Sequence, residues 1–227
     1  MASIDPRLAA ALDSQLRRRK QALDRGARHV GWKLGMGDRE SIGGEIAVGY
    51  LTSETLLTDP ARYQAQPGAQ LHADAEAAVR LQRDLPYPAE PRAALEAIGR
   101  YGLALEVVDL APTEGEPESL VIANVFHRAV RLGELPDAPR DPTVTLRVGD
   151  KVKASGTWTQ DLGERLVSAA RVLDGVGECL RSGDWIITGA IEQIPIKMGD
   201  LVAAQVEQTS IEVRVIDTAS DVRSTGG

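Results

Sequence analysis

Hydrophobic and polar positions follow two periods along this chain, and the switches between them mark its elements. Leu8, Leu12, Leu16 and Leu23 recur at helical spacing. Asp5-Pro6 before them supplies an N-cap and a first-turn proline, and Gly26 after them a stop. Short apolar or alternating runs then read as strands at 30–35, 47–52 (strand or turn), 71–79 and 103–109, with a polar loop at 37–44. A helix is expected over 93–101, with Ala94, Leu95 and Ile98 inward, after a rigid Leu85-Pro86-Tyr87-Pro88 linker. A polar loop at 114–118 precedes a buried strand or helix start at 120–126. Residues 144–156 form a hairpin turning at Gly149-Asp150, and Leu166, Ala169, Ala170 and Leu173 set a helix within 162–180. Strands at 185–190, 201–206 and 211–215 follow, and residues 217–227 carry no pattern, as expected of a disordered tail.

Composition narrows the function classes. With 43% hydrophobic and 26% charged residues the chain can bury one large core, so disorder is not the default. A net charge of -7 disfavours nucleic acid and anionic membranes as partners, and makes a local cation necessary for any small anionic substrate. The single Cys179 excludes an intrachain disulfide framework and fits a reducing compartment. No apolar run approaches the roughly 18 residues of a membrane span and no secretory leader is visible, so a cytoplasmic location is expected.

The candidate chemistry is acidic. Glu106 lies in Leu103-Ala104-Leu105-Glu106-Val107-Val108, an apolar run in which a carboxylate is costly unless something positive meets it. In Leu71-His72-Ala73-Asp74-Ala75-Glu76, an extended chain puts His72, Asp74 and Glu76 on one face, about 6.6 Å apart in succession. Carboxylates gathered that way repel unless a cation sits between them, and hard oxygen ligands suit Mg²⁺, Mn²⁺ or Ca²⁺. The alternative is plain: alanine-rich 73–78 favours a helix, on which Asp74 and Glu76 point apart as surface charges, and Glu106 pairs with an arginine. Lys33, beside Trp32, offers a cation or, with a lowered pKa, an acid or base, and otherwise is an edge-strand surface lysine. Arg17-Arg18-Arg19-Lys20 reads as a solvated or interface face. Trp158, Trp185 and Phe126 are assigned to core packing ahead of a pocket lining.

Taken in order, Gly31-Trp32-Lys33-Leu34-Gly35, Asp74-Ala75-Glu76, Ala104-Leu105-Glu106-Val107-Val108-Asp109, the hairpin into Ala154-Ser155-Gly156, and Ser182-Gly183-Asp184 through Thr188-Gly189-Ala190 resemble one family. It is the 2-keto-4-pentenoate hydratase and 2-oxo-3-hexenedioate decarboxylase family of the fumarylacetoacetate hydrolase-like superfamily. The resemblance implies an α+β fold: a mixed β-sheet roll over 31–216 with flanking helices, preceded by an N-terminal helical segment over 1–30. It also implies Mg²⁺ or Mn²⁺ held by Asp74, Glu76 and Glu106, the first being glutamate in most members. A 2-oxo acid would chelate that ion, which would stabilise an enolate as a proton or CO₂ leaves. Lys33 would face the substrate carboxylate or enol, Asn124 would bind substrate, and His72 is a weaker proton-transfer candidate. The implied state is a homo-oligomer, with a paralogous subunit as a variant.

Departures from the family pattern define the competing functions. Ile122-Ala123-Asn124-Val125-Phe126-His127 keeps only the asparagine of a polar Ala-Asp-Asn-Ala-Ser-like stretch, and the loop before Gly49-Tyr50-Leu51-Thr52 is short. Altered substrate, altered catalysis or a non-catalytic partner subunit would each follow from that. An acylpyruvate-type C–C hydrolase would need a histidine and glutamate in a lid ahead of the acidic strand, and no histidine lies between Trp32 and Leu71.

Overall fold

In a computed structural model of the chain, the structure describes residues 1–37, 41–111 and 116–217. The parts of the expected loops at 38–40 and 112–115, and the tail at 218–227, lie outside the described residues. The capped N-terminal run forms α1 (Pro6–Asp24), with Asp5 accepting from the Arg7 backbone N–H. Leu8, Ala11 and Leu12 of α1 enter the main core together with residues of both sheets.

Two sheets carry the fold. The first contains β1 (His29–Gly35), β2 (Ala47–Thr52), β4 (Leu71–Leu81), β5 (Ile98–Asp109), β6 (His127–Leu135) and β9 (Trp185–Pro195), ordered β2-β1-β9-β4-β5-β6. The second contains β3 (Arg62–Ala65), β7 (Thr143–Val148), β8 (Lys151–Thr157), β10 (Leu201–Val206) and β11 (Thr209–Asp217), ordered β3-β11-β10-β7-β8. Their facing sides form one core: Ala73, Ala75 and Ala77 of β4 and Leu103, Leu105 and Val107 of β5 join Val144, Leu146, Val202, Ala204, Val213 and Val215. Helices α2 (Pro91–Ala97), α3 (Pro117–Ile122) and α4 (Leu162–Asp174) flank the first sheet.

Alanine propensity does not make 73–78 a helix, because β5 and β9 each hydrogen-bond along β4 on its two edges. Tertiary pairing outweighs an intrinsic preference of under about 1 kcal/mol per residue. The far face of the first sheet, opposite the second sheet, therefore receives Asp74, Glu76 and Ala78 of β4, with Ala104 and Glu106 of β5.

Several expected bounds move. The helix expected over 93–101 is α2, which ends at Ala97; Ile98 is already extended and pairs with Leu81, and Leu95 is exposed rather than inward. The helix within 162–180 stops at Asp174 before Gly175, and Leu180 instead bridges Leu85. Pro117 and Glu118, expected in a loop, start α3; Asp217, expected in the tail, closes β11. The short, polar β3 and the arginine-bearing β6 had no sequence expectation. Among the described residues, no helix is long and apolar enough to cross a membrane.

Candidate metal centre

Asp74 on β4 and Glu106 on β5 are direct partners in the antiparallel register, and Glu76 follows one pleat along. All three are buried, with 5%, 1% and 0% of their surface exposed. One carboxylate oxygen from each lies within 4.8 Å of the other two. Like charges facing each other across a ladder are destabilising, and burial removes the water that would screen them.

Among the described residues, Lys33 is the cation bonded to this cluster. Lys33 lies on β1 between Gly49 of β2 and Ile187 of β9, and its stem crosses toward β5. Its Nζ donates to Glu106 Oε2 at 2.9 Å and to the Val125 carbonyl at 2.8 Å. Gly49 makes room for that path: a Cβ there would stand 2.7 Å from Lys33 Cγ and 2.8 Å from Asn124 Oδ1. Three acids against one lysine leave two negative charges when all are ionised, which matches a divalent ion. The hard-oxygen donor set suits a divalent ion of the Mg²⁺, Mn²⁺ or Ca²⁺ class.

The other contacts are specific. A bulge in β9 brings Gly189, at φ 97, to Glu76, whose Oε2 accepts the Gly189 N–H at 2.8 Å. A side chain at Gly189 would also strike Met36, 2.5 Å from its Cγ. Glu106 Oε1 lies 2.6 Å from His127 Nδ1, and His127 Nε2 lies 2.9 Å from Thr55 Oγ1. An ionised carboxylate only accepts, so Nδ1 carries the proton in that contact.

Burial acts against all these charges, and neighbours decide each outcome. Burial depresses the Lys33 ammonium, but the charges of Glu106, Glu76 and Asp74 outweigh it and raise the pKa above the usual lysine value. For Glu106, burial is outweighed by Lys33 and His127, which hold it down at about 2. Glu76 goes the other way: burial and the charge of Glu106 push it well above the ordinary carboxylate range, with Lys33 opposing. Burial also lowers His127, against the pull of Glu106, so its ring is neutral. Two carboxylates of one cluster are thus driven apart in acidity, a mark of functional sites.

Asp74 and Glu76 open into a cavity of ≈ 450 Å³, whose walls also include Lys33, Leu34, Met36, Leu110, Phe126 and Gln193, with Glu106 buried behind them. A larger hollow of ≈ 680 Å³ lies at Arg62, Arg131 and Arg214 and contains none of these acids.

Of the residues singled out from sequence, Lys33, Asp74, Glu76 and Glu106 come together. His72 shares the face of Asp74 but is only partly buried, with Nδ1 3.3 Å from the Gln70 carbonyl, and it does not line the cavity. Asn124, expected to bind substrate, turns its amide to the backbone of Tyr50: its Oδ1 accepts the Tyr50 N–H at 2.8 Å and its Nδ2 donates to the Tyr50 carbonyl at 3.0 Å. It faces a separate hollow with Thr55 and His127. Phe126, assigned to the core, packs in a small buried cluster with Val108 and Leu120 and also borders the cavity, and Trp158 is in the main core. His127 carried no sequence assignment, although it stands in the stretch that departs from the family pattern.

Asn124, Val125 and Phe126 adopt φ of 64°, 53° and 62°, three successive left-handed residues between α3 and β6. That conformation costs about 1–2 kcal/mol per residue with a Cβ, and Val is among the least suited to it. Such strain persists only where surrounding contacts impose it. Here it turns the Val125 carbonyl to Lys33 and starts β6 with His127 against Glu106.

No protein-family model matches the chain, and no curated protein matches it by sequence. Solved structures do. The 4-oxalocrotonate decarboxylase from Pseudomonas putida G7, complexed with magnesium and adipate, superposes with a TM-score of 0.81 at 22% identity, over 92% of this chain and 86% of that one. Fumarylpyruvate hydrolase from Pseudomonas aeruginosa, in complex with Mn²⁺ and pyruvate, gives 0.59 at 16% identity, over 83% and 89%. A Yersinia pestis CO92 protein assigned to the fumarylacetoacetate hydrolase family gives 0.61 at 17% identity, over 83% and 93%. The chain has the fumarylacetoacetate hydrolase-like fold, with an acidic cluster that could hold a divalent metal at the heart of its first sheet.

Proposed function

We propose that the protein is a divalent-cation-dependent hydratase or decarboxylase acting on a 2-oxo acid. The observation that carries this reading is the convergence of Asp74, Glu76 and Glu106 with Lys33, three of which, Lys33, Asp74 and Glu76, line a cavity. Asp74, Glu76 and Glu106 would hold Mg²⁺ or Mn²⁺, which when bound supplies Lewis-acid stabilisation for the negative charge that develops on the 2-oxo oxygen. In the metal-free cluster the three carboxylates hold the Lys33 pKa up against burial, and Lys33 would serve as the cation for the substrate carboxylate. Leu34, Met36, Leu110 and Phe126 give the substrate's carbon tail an apolar wall and exclude water from the reacting end. His72, outside the cavity, has no part in this proposal.

The decarboxylase from Pseudomonas putida supports this reading over a C–C hydrolase, since it matches more of the chain and at a higher TM-score than the fumarylpyruvate hydrolase. The absence of a histidine between Trp32 and Leu71 agrees. The protein would act in the cytoplasm as a homo-oligomer of β-roll domains, each with its N-terminal helical segment.

Ultraviolet assays of a 2-hydroxy-dienoate and a 2-oxo-3-enedioate, with purified protein before and after chelation and Mg²⁺ return, test the proposal. Loss and recovery of the absorbance change are expected. A protein that binds the ion yet turns over neither substrate would instead be a non-catalytic partner subunit. Turnover indifferent to chelation would refute the cation's role.

A further inference from the structure

We propose that His127 is the positioning residue of the acidic cluster, fixing the Glu106 carboxylate before a divalent ion arrives; this rests on the reading of Asp74, Glu76 and Glu106 as ion ligands. Three observations combine. His127 Nδ1 lies 2.6 Å from Glu106 Oε1, a short contact between two side chains with no exposed surface. Its other nitrogen is held 2.9 Å from Thr55 Oγ1, so the ring is fixed at both ends. The left-handed run Asn124–Val125–Phe126 places it there, and that run is itself tied down by the Asn124 amide on Tyr50 and the Val125 carbonyl on Lys33.

The consequence concerns one torsion. A glutamate bound only by Lys33 can rotate its carboxylate to follow the flexible ammonium. With Oε1 held by a ring that cannot turn, the orientation in which Glu106 meets Asp74 and Glu76 is set in advance. Ligand orientation by an outer hydrogen bond is a general device of metal sites, and its loss weakens binding by about 10- to 100-fold. His127 stands in the stretch where this chain departs from its family's polar pattern, so the device belongs to this chain's own sequence.

The test is calorimetric titration of metal-free protein with MgCl₂, for the native chain and for His127→Ala, His127→Asn and Thr55→Val, with thermal midpoints recorded alongside. Asparagine offers an N–H near the position of Nδ1 and lacks the Thr55 contact. His127→Ala is expected to weaken Mg²⁺ binding about 10- to 100-fold. His127→Asn should recover most of that loss, and Thr55→Val should lose less than tenfold, without the midpoints following the same order. Equal Mg²⁺ affinity in native protein and a folded His127→Ala overturns this inference alone, as does a folded His127→Asn no better than alanine. Should His127→Ala fail to fold, Thr55→Val decides: weaker binding supports the inference and unchanged binding overturns it. Native protein that takes up no Mg²⁺ overturns the functional reading and this inference together.

Discussion

Along β4, Asp74 and Glu76 alternate with Ala73, Ala75 and Ala77; along β11, Glu212 and Arg214 alternate with Ile211, Val213 and Val215. In both strands the apolar set faces the core between the sheets. The charged set of β11 is exposed, whereas Asp74 and Glu76 are buried beneath Lys33 and the cavity walls. The same period-two pattern therefore selects a face without saying whether water lies beyond it. Both strands are interior to their sheets, so cover decides: β4 is covered on both faces, while the outer face of β11 is open.

The largest effect that would break this contrast is at Glu106. Glu106→Gln should weaken Mg²⁺ binding by more than about 100-fold, beyond the cost of losing an outer contact, whereas Glu212→Gln should leave it unchanged; calorimetry compares the two. Next comes the buried cation. Lys33→Met leaves Glu106 without its ammonium and should destabilise the metal-free protein by about 3–5 kcal/mol in urea unfolding. Mg²⁺ should restore part of it. Arg214→Met, at the surface of β11, should stay within about 0.5 kcal/mol.

A third prediction uses pH. Glu76 holds its proton above the ordinary carboxylate range in the metal-free protein, through burial and the charge of Glu106. Ion uptake must expel that proton, so Mg²⁺ affinity falls as pH falls, by up to about tenfold per unit while Glu76 is protonated. Titrations in buffers of different ionisation enthalpy read the proton release. Folding stability shows the opposite pair. The raised Glu76 stabilises the metal-free fold fully below the unfolded value of 4.5 and loses this as pH rises through its folded pKa. Glu106, held at about 2, stabilises above 4.5 and loses this as pH falls toward 2. The smallest effect is expected at His72: His72→Ala, on the acid face of β4 but outside the cavity, should change Mg²⁺ affinity less than about twofold.

The acidic centre was legible because each member broke a local rule. Glu106 interrupts an apolar run, and Asp74 and Glu76 alternate with alanines too small to be the exposed half of a strand's chemistry. Lys33 was legible only by resemblance, since the crossing from β1 to Glu106 depends on strand order. His127 was not: it reaches Glu106 through a left-handed turn that no propensity announces at Val125 and Phe126. The contact of the Asn124 amide with the backbone of Tyr50 was hidden for a related reason, because it depends on the same turn. β3 and β6 escaped notice since four polar-rich residues, and a run broken by Arg128, Arg131 and Gly133, give no steady period. The end of α2 was misplaced because Ile98 fits a helix face equally well until β4 claims it.

The central claim is that three carboxylates distant along the chain share one divalent ion. Anomalous diffraction at the manganese edge from crystals soaked in MnCl₂ tests it most directly. A single strong peak within ligand distance of Asp74, Glu76 and Glu106, absent in Glu106→Gln, is the predicted result. A peak elsewhere, or no peak with Lys33 still bonded to Glu106 at saturating Mn²⁺, would contradict it.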